Sequence, residues 1–342
     1  MTRRGKIVLG SLGAVVALGV AAFGYAALTG TDVPIIGDIV APDPPPPCPL
    51  TGQEASPPEL VENPVLAVKV ENIAEARPQA GLGAADVVFE EPVEGGITRF
   101  IAVYQCGGAD RIGPVRSARL VDPDILRQYG RPLFAYAGGV DQVFRAIRQA
   151  DLVDLNFVKQ EPLYHKDPSR SAPHNLFISS SEFLDVTDEG APPADPAFSF
   201  DAEAPDPATT KAAKRIEAPF SPFANVLWKW NPKRGVWFRF HDDDRHKLEQ
   251  GAVSTDNVVV QIVKVRPGAI IDAAGNPSPE IDVIGEGKAY VFRDGRVIEG
   301  TWTRASKGEA TEYLDAAGEP ISLKPGHTWV ELFPRDLPFS FS

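Results

Sequence analysis

The chain has 342 residues, of which 43% are hydrophobic and 23% are charged, so it can bury a substantial core and is not a disordered chain. Its length is typical of about two domains. The formal net charge of −12 leaves no broad cationic surface for a phosphate backbone, so we predict no nucleic-acid partner.

The N-terminus predicts a membrane segment. Three basic residues lie within positions 3–6, and residues 7–28 contain no charged side chain. At about 1.5 Å per residue, that run is long enough to cross a hydrocarbon core of about 30 Å. Because a basic flank stays in the cytoplasm, we expect a single-pass helix in the cytoplasmic membrane with the rest of the chain outside. A cleaved signal peptide is the alternative, although its apolar region is usually shorter, about 7–15 residues.

Residues 29–47 end in a run of prolines, which predicts an extended spacer. The two cysteines, Cys48 and Cys106, both follow the apolar segment and therefore lie in an oxidising compartment, so we expect a disulfide between them. Two unrelated thiols are the alternative. Two cysteines without a neighbouring histidine make a poor zinc site, so we predict no metal, and no motif predicts a cofactor.

Residues 48–190 are predicted to form a mixed α/β domain. Short apolar runs flanked by glycine and proline predict strands, at residues 65–70, 86–89, 99–104 and 132–137. A first helix is predicted with Asp122 as its N-cap and Gly130 as its stop. Apolar residues at helical spacing predict a second helix at 140–147, and a capping box at 179–182 predicts a third.

Residues 191–222 are rich in proline, alanine and acidic residues and are predicted to connect the first domain to a second one. Residues 223–338 are predicted to form a mostly antiparallel β domain, because they contain runs of β-branched and aromatic residues. Asp294-Gly295 between two such runs predicts a hairpin, and residues 328–333 are predicted as the last strand. The expected fold class is α+β, with the membrane helix before both domains.

Arginines dominate the candidate binding site. Nine arginines and no lysine lie between residues 70 and 158, a bias that favours planar, bidentate recognition of carboxylate or phosphate groups. The candidates for ligand binding are Arg99, Arg116, Arg119, Arg170 and Asn175. The alternative is that the arginines only neutralise Glu90 and Glu94 in structural ion pairs.

Glu90, Glu94 and His174 are the candidates for catalysis. Two neighbouring carboxyl groups can differ in pKa and act as general acid and base, and a histidine can carry protons near neutral pH. Structural roles are the alternative for all three. The sequence has no Gly-x-Ser-x-Gly elbow, no Gly-x-x-x-x-Gly-Lys loop and no His-Glu-x-x-His motif, so whether the chain is an enzyme stays open.

Short motifs along most of the chain resemble the YerB-like family of exported bacterial lipoproteins. They are CPLTG at 48–52, ARPQAGL at 76–82, VEGGITR at 93–99, GPVRSAR at 113–119, APHN at 172–175, DNVVVQ at 256–261, GTW at 300–302 and PGHTW at 325–329. The resemblance implies an N-terminal α/β part and a C-terminal β part of unknown function, with no established activity or cofactor. Two residues depart from it. Cys48 follows prolines, so the membrane segment replaces a lipid anchor, and Glu91 stands where the resemblance implies a small apolar residue.

Two functions are expected. The first is a membrane-tethered, extracytoplasmic envelope protein that binds an anionic cell-envelope ligand or a protein partner through its Arg/Glu/His site. The second is a hydrolase or transferase that acts on cell-envelope polymer, with Glu90 or Glu94 as acid or base and the arginines as anion clamps. An open pocket with unpaired carboxylates would favour the second function, and closed ion pairs would favour the first.

Overall fold

The computed structural model describes residues 44–193, 196–272 and 275–342. The predicted membrane segment at residues 7–28 lies outside these ranges, as does most of the predicted spacer at residues 29–47. Within the described ranges, no helix is both long enough and apolar enough to cross a membrane.

The first part of the chain forms short strands and helices. The strands are β1 (Leu66–Glu71), β2 (Val87–Pro92), β3 (Thr98–Tyr104), β4 (Leu133–Tyr136), β5 (Val153–Asn156), β6 (His165–Lys166) and β7 (Leu176–Phe177). The α-helices are α1 (Asp122–Leu126), α2 (Asp141–Gln149) and α3 (Ser180–Leu184). Short 3₁₀ helices stand at Pro58–Glu62, Ala74–Ala76, Leu82–Ala84, Glu94–Gly96 and Glu161–Leu163. Every strand and helix that apolar periodicity predicts here is present, with shifted boundaries.

The second part of the chain contains strands, turns and loops but no helix within its described residues. Its strands are β8 (Lys211–Ala212), β9 (Arg215–Ser221), β10 (Ala224–Asn231), β11 (Val236–His241), β12 (Asp244–Arg245), β13 (Ser254–Thr255), β14 (Asn257–Ile271), β15 (Pro277–Asp282), β16 (Gly285–Arg293), β17 (Arg296–Arg304), β18 (Glu312–Leu314), β19 (Thr328–Pro334) and β20 (Ser340–Phe341). The predicted connection at residues 191–222 includes β8 and β9. In β9 buried and partly exposed residues alternate, and the surrounding proline and acidic residues obscure that pattern in the sequence.

One twelve-stranded sheet contains strands from both parts of the chain. Its order is β18-β17-β16-β14-β19-β2-β3-β1-β4-β5, with β15 paired to β14 and β8 paired to β17. Strand β19 lies between β14 and β2 and runs parallel to both. The sequence predicts the strand at residues 328–333 but not this pairing, because a parallel pair has no connecting turn beside it. The chain is therefore mostly β with few short helices, and the predicted domain boundaries at 48–190 and 223–338 stay predictions.

A six-stranded sheet packs on one face of the large sheet. Its order is β12-β11-β10-β9-β20, with β13 paired to β11. A buried apolar cluster that includes Phe100, Trp228 and Trp329 joins the two sheets. Helices α1 and α2 pack on the opposite face, where Ile125 and Ile147 belong to a second buried cluster. The large sheet is thus the middle layer, and each of its faces has its own core.

Two predicted helix caps differ from the structure. Asp122 is the first residue of α1 rather than its N-cap, and its Oδ2 accepts a hydrogen bond from the Arg119 backbone N–H at 2.8 Å. Helix α3 follows Ser179 without a side-chain capping bond, since Ser179 Oγ lies 3.0 Å from Ser181 Oγ instead. In both cases the side-chain oxygen forms a hydrogen bond with another nearby group instead, and residue spacing alone does not show which group that is.

The predicted disulfide between Cys48 and Cys106 is present, with Cα atoms 6.1 Å apart. It ties the start of the described chain to the segment that follows β3. The Asp86 carboxylate holds the same segment, because it accepts hydrogen bonds from the backbone N–H groups of Gln105 at 2.6 Å and Gly107 at 3.0 Å. The covalent bond and the carboxylate together fix this end of the large sheet.

Candidate functional site

The carboxyl groups of Glu90 and Glu91 lie in different layers, because neighbouring residues of a strand point to opposite faces. Glu90 faces the six-stranded sheet and is fully buried. Arg239 of β11 places Nη2 at 2.8 Å from each Glu90 carboxylate oxygen and Nε at 3.1 Å from Oε2. The Thr98 hydroxyl donates to Glu90 as well, at 2.7 Å. Glu90 therefore belongs to a closed, bidentate ion pair rather than to an open site.

Further buried polar groups surround Arg239. His241 Nε2 and His246 Nδ1 each accept a hydrogen bond from Arg239 Nη1 at 2.8 Å. Burial, reinforced by the Arg239 charge, holds the pKa of both histidines far below its usual range, so both rings are neutral. Glu331 lies opposite Glu90 in the neighbouring strand β19. Burial, together with the Glu90 charge, raises the pKa of Glu331 well above its usual range.

Glu71, the last residue of β1, holds two of the predicted arginines. Arg116 Nε donates to Glu71 Oε2 at 2.7 Å, and Arg99 donates to both Glu71 oxygens at 3.4 Å. Burial opposes ionisation of Glu71, but the charges of Arg99 and Arg116 and their hydrogen bonds outweigh it, so the pKa of Glu71 lies below its usual value. Glu71 is therefore the buried anion that positions both guanidinium groups.

Glu94 holds the third predicted arginine. Arg119 Nε donates to Glu94 Oε2 at 2.8 Å, and Ser278 Oγ donates to the other oxygen at 2.5 Å. Burial opposes ionisation of Glu94, but its hydrogen bonds with Arg119 outweigh that effect and hold the pKa of Glu94 below its usual value. Arg99 and Arg119 both donate to the Ser117 carbonyl oxygen, at 3.3 and 3.2 Å. Two of the predicted arginines, Arg99 and Arg119, therefore converge on one backbone oxygen.

We use the term arginine cluster for the group Arg99, Arg116, Arg119, Glu71 and Glu94. The group has three positive and two negative side chains, so it carries a net positive charge. Arg99 is nearly fully buried, whereas the Arg116 side chain is 27% exposed. Of the three guanidinium nitrogens of Arg116, only Nε is hydrogen-bonded within the described residues, and the two terminal nitrogens make no such bond. The cluster thus presents one open guanidinium edge.

His174 lies near the arginine cluster, within reach of the charges of Glu71, Arg116 and Arg170. Burial lowers the pKa of the partly exposed His174 ring below its usual value, so the ring is neutral at neutral pH. Its Nδ1 has no hydrogen-bond partner in the part of the chain that the structure describes. His174 therefore adds a buried, unpaired polar atom to the surroundings of the cluster.

Arg170 and Asn175 lie outside the arginine cluster, and their predicted part in ligand binding stays a prediction. Arg170 donates to Glu249 at 3.0 Å and to the Pro78 carbonyl oxygen at 2.6 Å, so it connects two loops. Asn175 accepts a hydrogen bond from the Asp167 backbone N–H at 2.7 Å through its own backbone carbonyl. Among the described residues, neither side chain forms a hydrogen bond or an ion pair with the side chains of the arginine cluster. Among the described residues, no group of three or more His, Cys, Asp or Glu side chains is placed to hold a metal ion.

Family models match the chain in two segments. Residues 50–192 match the N-terminal domain, and residues 216–330 match the C-terminal domain, of a protein of unknown function, DUF3048. The chain belongs to the DUF3048 family. Its resemblance to YerB is also confirmed, because it is 26% identical over 297 residues to the YerB protein of Bacillus subtilis (strain 168), which carries a lipoprotein designation. That match covers 84% of this chain and 86% of YerB.

The crystal structure of Bacillus subtilis YerB resembles the structure of this DUF3048 chain. The two structures superpose with a TM-score of 0.73 at 25% sequence identity, and the match covers 87% of this chain and 99% of that one. This chain therefore shares its overall fold with a relative whose structure has been solved.

Two residues that organise the charges of this DUF3048 protein, Glu71 and Arg239, are missing from the sequence-based candidates. Glu71 ends an apolar strand, and in sequence it is indistinguishable from a solvated strand end. Arg239 stands between Phe238 and Phe240, and a charge inside such an apolar strand needs a buried partner, which is the signal that sequence reasoning missed. That partner, Glu90, is 149 positions away, so no local spacing identifies it.

Proposed function

We propose that this DUF3048 protein is a membrane-tethered, extracytoplasmic envelope protein that binds an anionic ligand at its arginine cluster. The state of Arg116 is the observation that supports binding. Glu71 holds its Nε at 2.7 Å, while the terminal nitrogens have no hydrogen bond within the described residues. A guanidinium that is fixed at one edge and open at the other can donate two parallel hydrogen bonds to a carboxylate or a phosphate.

The proposed location rests on residues 7–28 and on the relative YerB. The apolar run is long enough to span a membrane, and its basic flank orients the rest of the chain outwards. A lipoprotein is attached to a membrane surface, so the designation of YerB supports the same location. In this chain the uncleaved helix takes the place of the lipid. The disulfide between Cys48 and Cys106 fits an oxidising compartment outside the cytoplasm.

The position of the cluster suits a ligand. Strands β1 and β4 are parallel, and the segment that carries Arg116 crosses their carboxyl ends. Its backbone is held there at both strands. The Arg116 N–H donates to the Lys69 carbonyl oxygen, and the Arg116 carbonyl oxygen accepts from the Ala137 N–H. Ligands of α/β proteins commonly bind outside the carboxyl ends of parallel strands. Because the whole chain has a net charge of −12, the attraction has to come from the cluster itself, which favours a short anionic group over a long polyanion.

The ion pairs support binding over hydrolysis or group transfer. A general acid or base has to reach its substrate. Glu90 is completely buried in its pair with Arg239, and the Glu94 side chain is only 9% exposed beside Arg119. His174 is partly exposed, but its unpaired Nδ1 is buried, and a single neutral imidazole does not make an acid/base pair. We therefore assign the cluster to recognition of an anion.

Arg116→Lys tests the proposal, because lysine keeps the charge but loses the planar donor edge. We expect the variant to bind soluble peptidoglycan fragments with free carboxylates, or inorganic phosphate, at least about tenfold more weakly, a loss of about 1.4 kcal/mol. Calorimetric titration of the purified protein with each probe measures this. Arg148→Lys, on the exposed side of α2, is the matched control and should leave binding unchanged.

Two outcomes contradict the proposal. One is a lowered unfolding temperature of Arg116→Lys with unchanged affinity per folded molecule, which would make Arg116 a structural residue. The other is that the wild-type protein binds neither probe.

A further inference from the structure

A buried lysine is enclosed by two carboxyl groups on the helix-covered side of the large sheet. Lys69 of β1, Glu91 of β2 and Asp122 of α1 have fully buried side chains. Lys69 Nζ donates to Glu91 Oε1, and it also donates to Asp122 Oδ1 at 2.9 Å. The two carboxyl groups thus meet at one amine, and the arginine cluster does not include any of the three residues.

The surroundings of this triad are apolar and fixed. Ile101 of β3 lies directly opposite Lys69, and Ile125 of α1 belongs to the same buried cluster as Ile101. Asp122 Oδ2 accepts a hydrogen bond from the Arg119 backbone N–H at 2.8 Å, which holds this carboxyl group in place. Charges in such a site lose their hydration, so a reaction that removes them is favoured.

Glu91 is equipped to carry protons. Its Oε2 is buried and has no hydrogen-bond partner within the described residues. Burial, with the charge of Asp122 added, raises the pKa of Glu91 to about 8, so this group is a neutral acid at neutral pH. The anion-binding proposal does not use this residue.

We propose that Lys69 and Asp122 condense to an intramolecular isopeptide bond, with Glu91 as the proton carrier. One Nζ proton passes to the Asp122 carboxylate, which gives a neutral amine and a neutral acid. The Nζ lone pair then attacks Cγ of Asp122. Glu91, which starts as a neutral acid, gives its own proton to the departing oxygen and takes the second Nζ proton in its place. The Nζ–Cγ bond forms, one Cγ–O bond breaks, and the oxygen leaves as water with one proton that came from Nζ and one that came from Glu91.

The balance needs no other reactant. An ammonium and a carboxylate become one neutral amide and one water molecule, and Glu91 ends in its starting protonation state. The 2.9 Å contact between Nζ and Oδ1 places the amine directly beside the carboxyl group whose Cγ it attacks, and reactants fixed in this way reach effective concentrations of about 10⁵ M or more. The product ties β1 to α1 across 53 positions of the chain, on the face opposite to the Glu90–Arg239 pair.

Tryptic digestion of the denatured, reduced wild-type protein tests the proposal. Trypsin cuts after Arg119 and Arg127, so an unlinked chain releases the peptide 120–127. The isopeptide bond attaches that peptide to Lys69 and also blocks cleavage after Lys69. We expect the free peptide 120–127 to be lost from the wild-type digest, relative to the peptide 112–116, which is released in every case. The linked product should lack the mass of one water molecule.

Variants identify each partner. Lys69→Arg, which keeps the charge but cannot form the bond, should restore the free peptide 120–127 in full. Glu91→Gln should restore most of it, and retention of the link in this variant would overturn the role of Glu91. A wild-type digest with free 120–127 and normal cleavage after Lys69 would overturn the proposal. A link from Lys69 to Glu91, with 120–127 free, would overturn the assignment of Asp122.

Discussion

Removal of the Arg239 guanidinium should be among the most damaging single changes in the molecule. Arg239 is completely buried and makes bidentate contact with Glu90, and its guanidinium carbon lies 5.4 Å from the Phe100 ring centre. Arg239→Met keeps much of the volume but leaves the carboxyl groups of Glu90 and Glu331 together without a counter-charge. Breaking one side of a buried ion pair costs about 3–5 kcal/mol, against a total stability of about 5–15 kcal/mol for a typical protein.

The assay is urea unfolding followed by tryptophan fluorescence, with two companion variants. Arg215→Met breaks a surface pair whose side chains are 43% and 45% exposed, so it should cost less than about 1 kcal/mol. The double variant Arg239→Met with Glu90→Gln should recover at least about 1 kcal/mol, because it removes the unpaired charge. The reasoning is refuted if Arg239→Met destabilises the protein no more than Arg215→Met, or if the double variant equals the sum of its two single changes.

Two further changes test the buried carboxyl pair and the disulfide. Burial and the Glu90 charge raise the pKa of Glu331 above its value of about 4.5 in the unfolded chain. The native state therefore keeps a proton that the unfolded state releases. This proton stabilises the native state at low pH, and its contribution is lost as the pH rises above about 4.5. Glu331→Gln should therefore flatten the fall in unfolding free energy above about pH 4.5, and an unchanged slope would contradict the assignment. Cys48→Ser with Cys106→Ser should lower the unfolding free energy by about 4 kcal/mol, the value expected for a loop of 58 residues, and a loss below about 1 kcal/mol would show that the loop is held without the bond.

Local signals in the sequence predict the strands and turns of this fold well. The hairpin at Asp294-Gly295 is an example, because both residues have positive φ, 52° and 68°, as the dipeptide suggests for a tight turn between twisted strands. The apolar spacing at 140–147 likewise predicts α2, whose Val143 and Ile147 are buried. These predictions succeed because the deciding interactions lie within a few residues of each other.

The charge pairs could not be predicted in the same way. The sequence places Glu90 with the arginines of the candidate site, but strand alternation sends it to the opposite face, where its partner comes from β11. Arg99 and Arg116 share Glu71, whose position depends on how β1 pairs with β3. Which charged residues form ion pairs depends on the three-dimensional packing of the strands, and spacing along the chain does not predict it.

The position of β19 between β14 and β2 affects how the protein folds during its synthesis. The chain is made from its N-terminus, so strand Thr328–Pro334 appears only after both of its neighbours, β2 and β14. Until then, β2 and β14 each lack a neighbour, and an unpaired strand edge is a template for pairing with other chains. On the side of β2, the gap closes between residues more than 240 positions apart, such as Val87 and Thr328, and contacts that distant in sequence form slowly. Neither part of the chain can complete this sheet alone, so its assembly has to wait until β19 has been made, and the open edges of β2 and β14 need shielding up to that point.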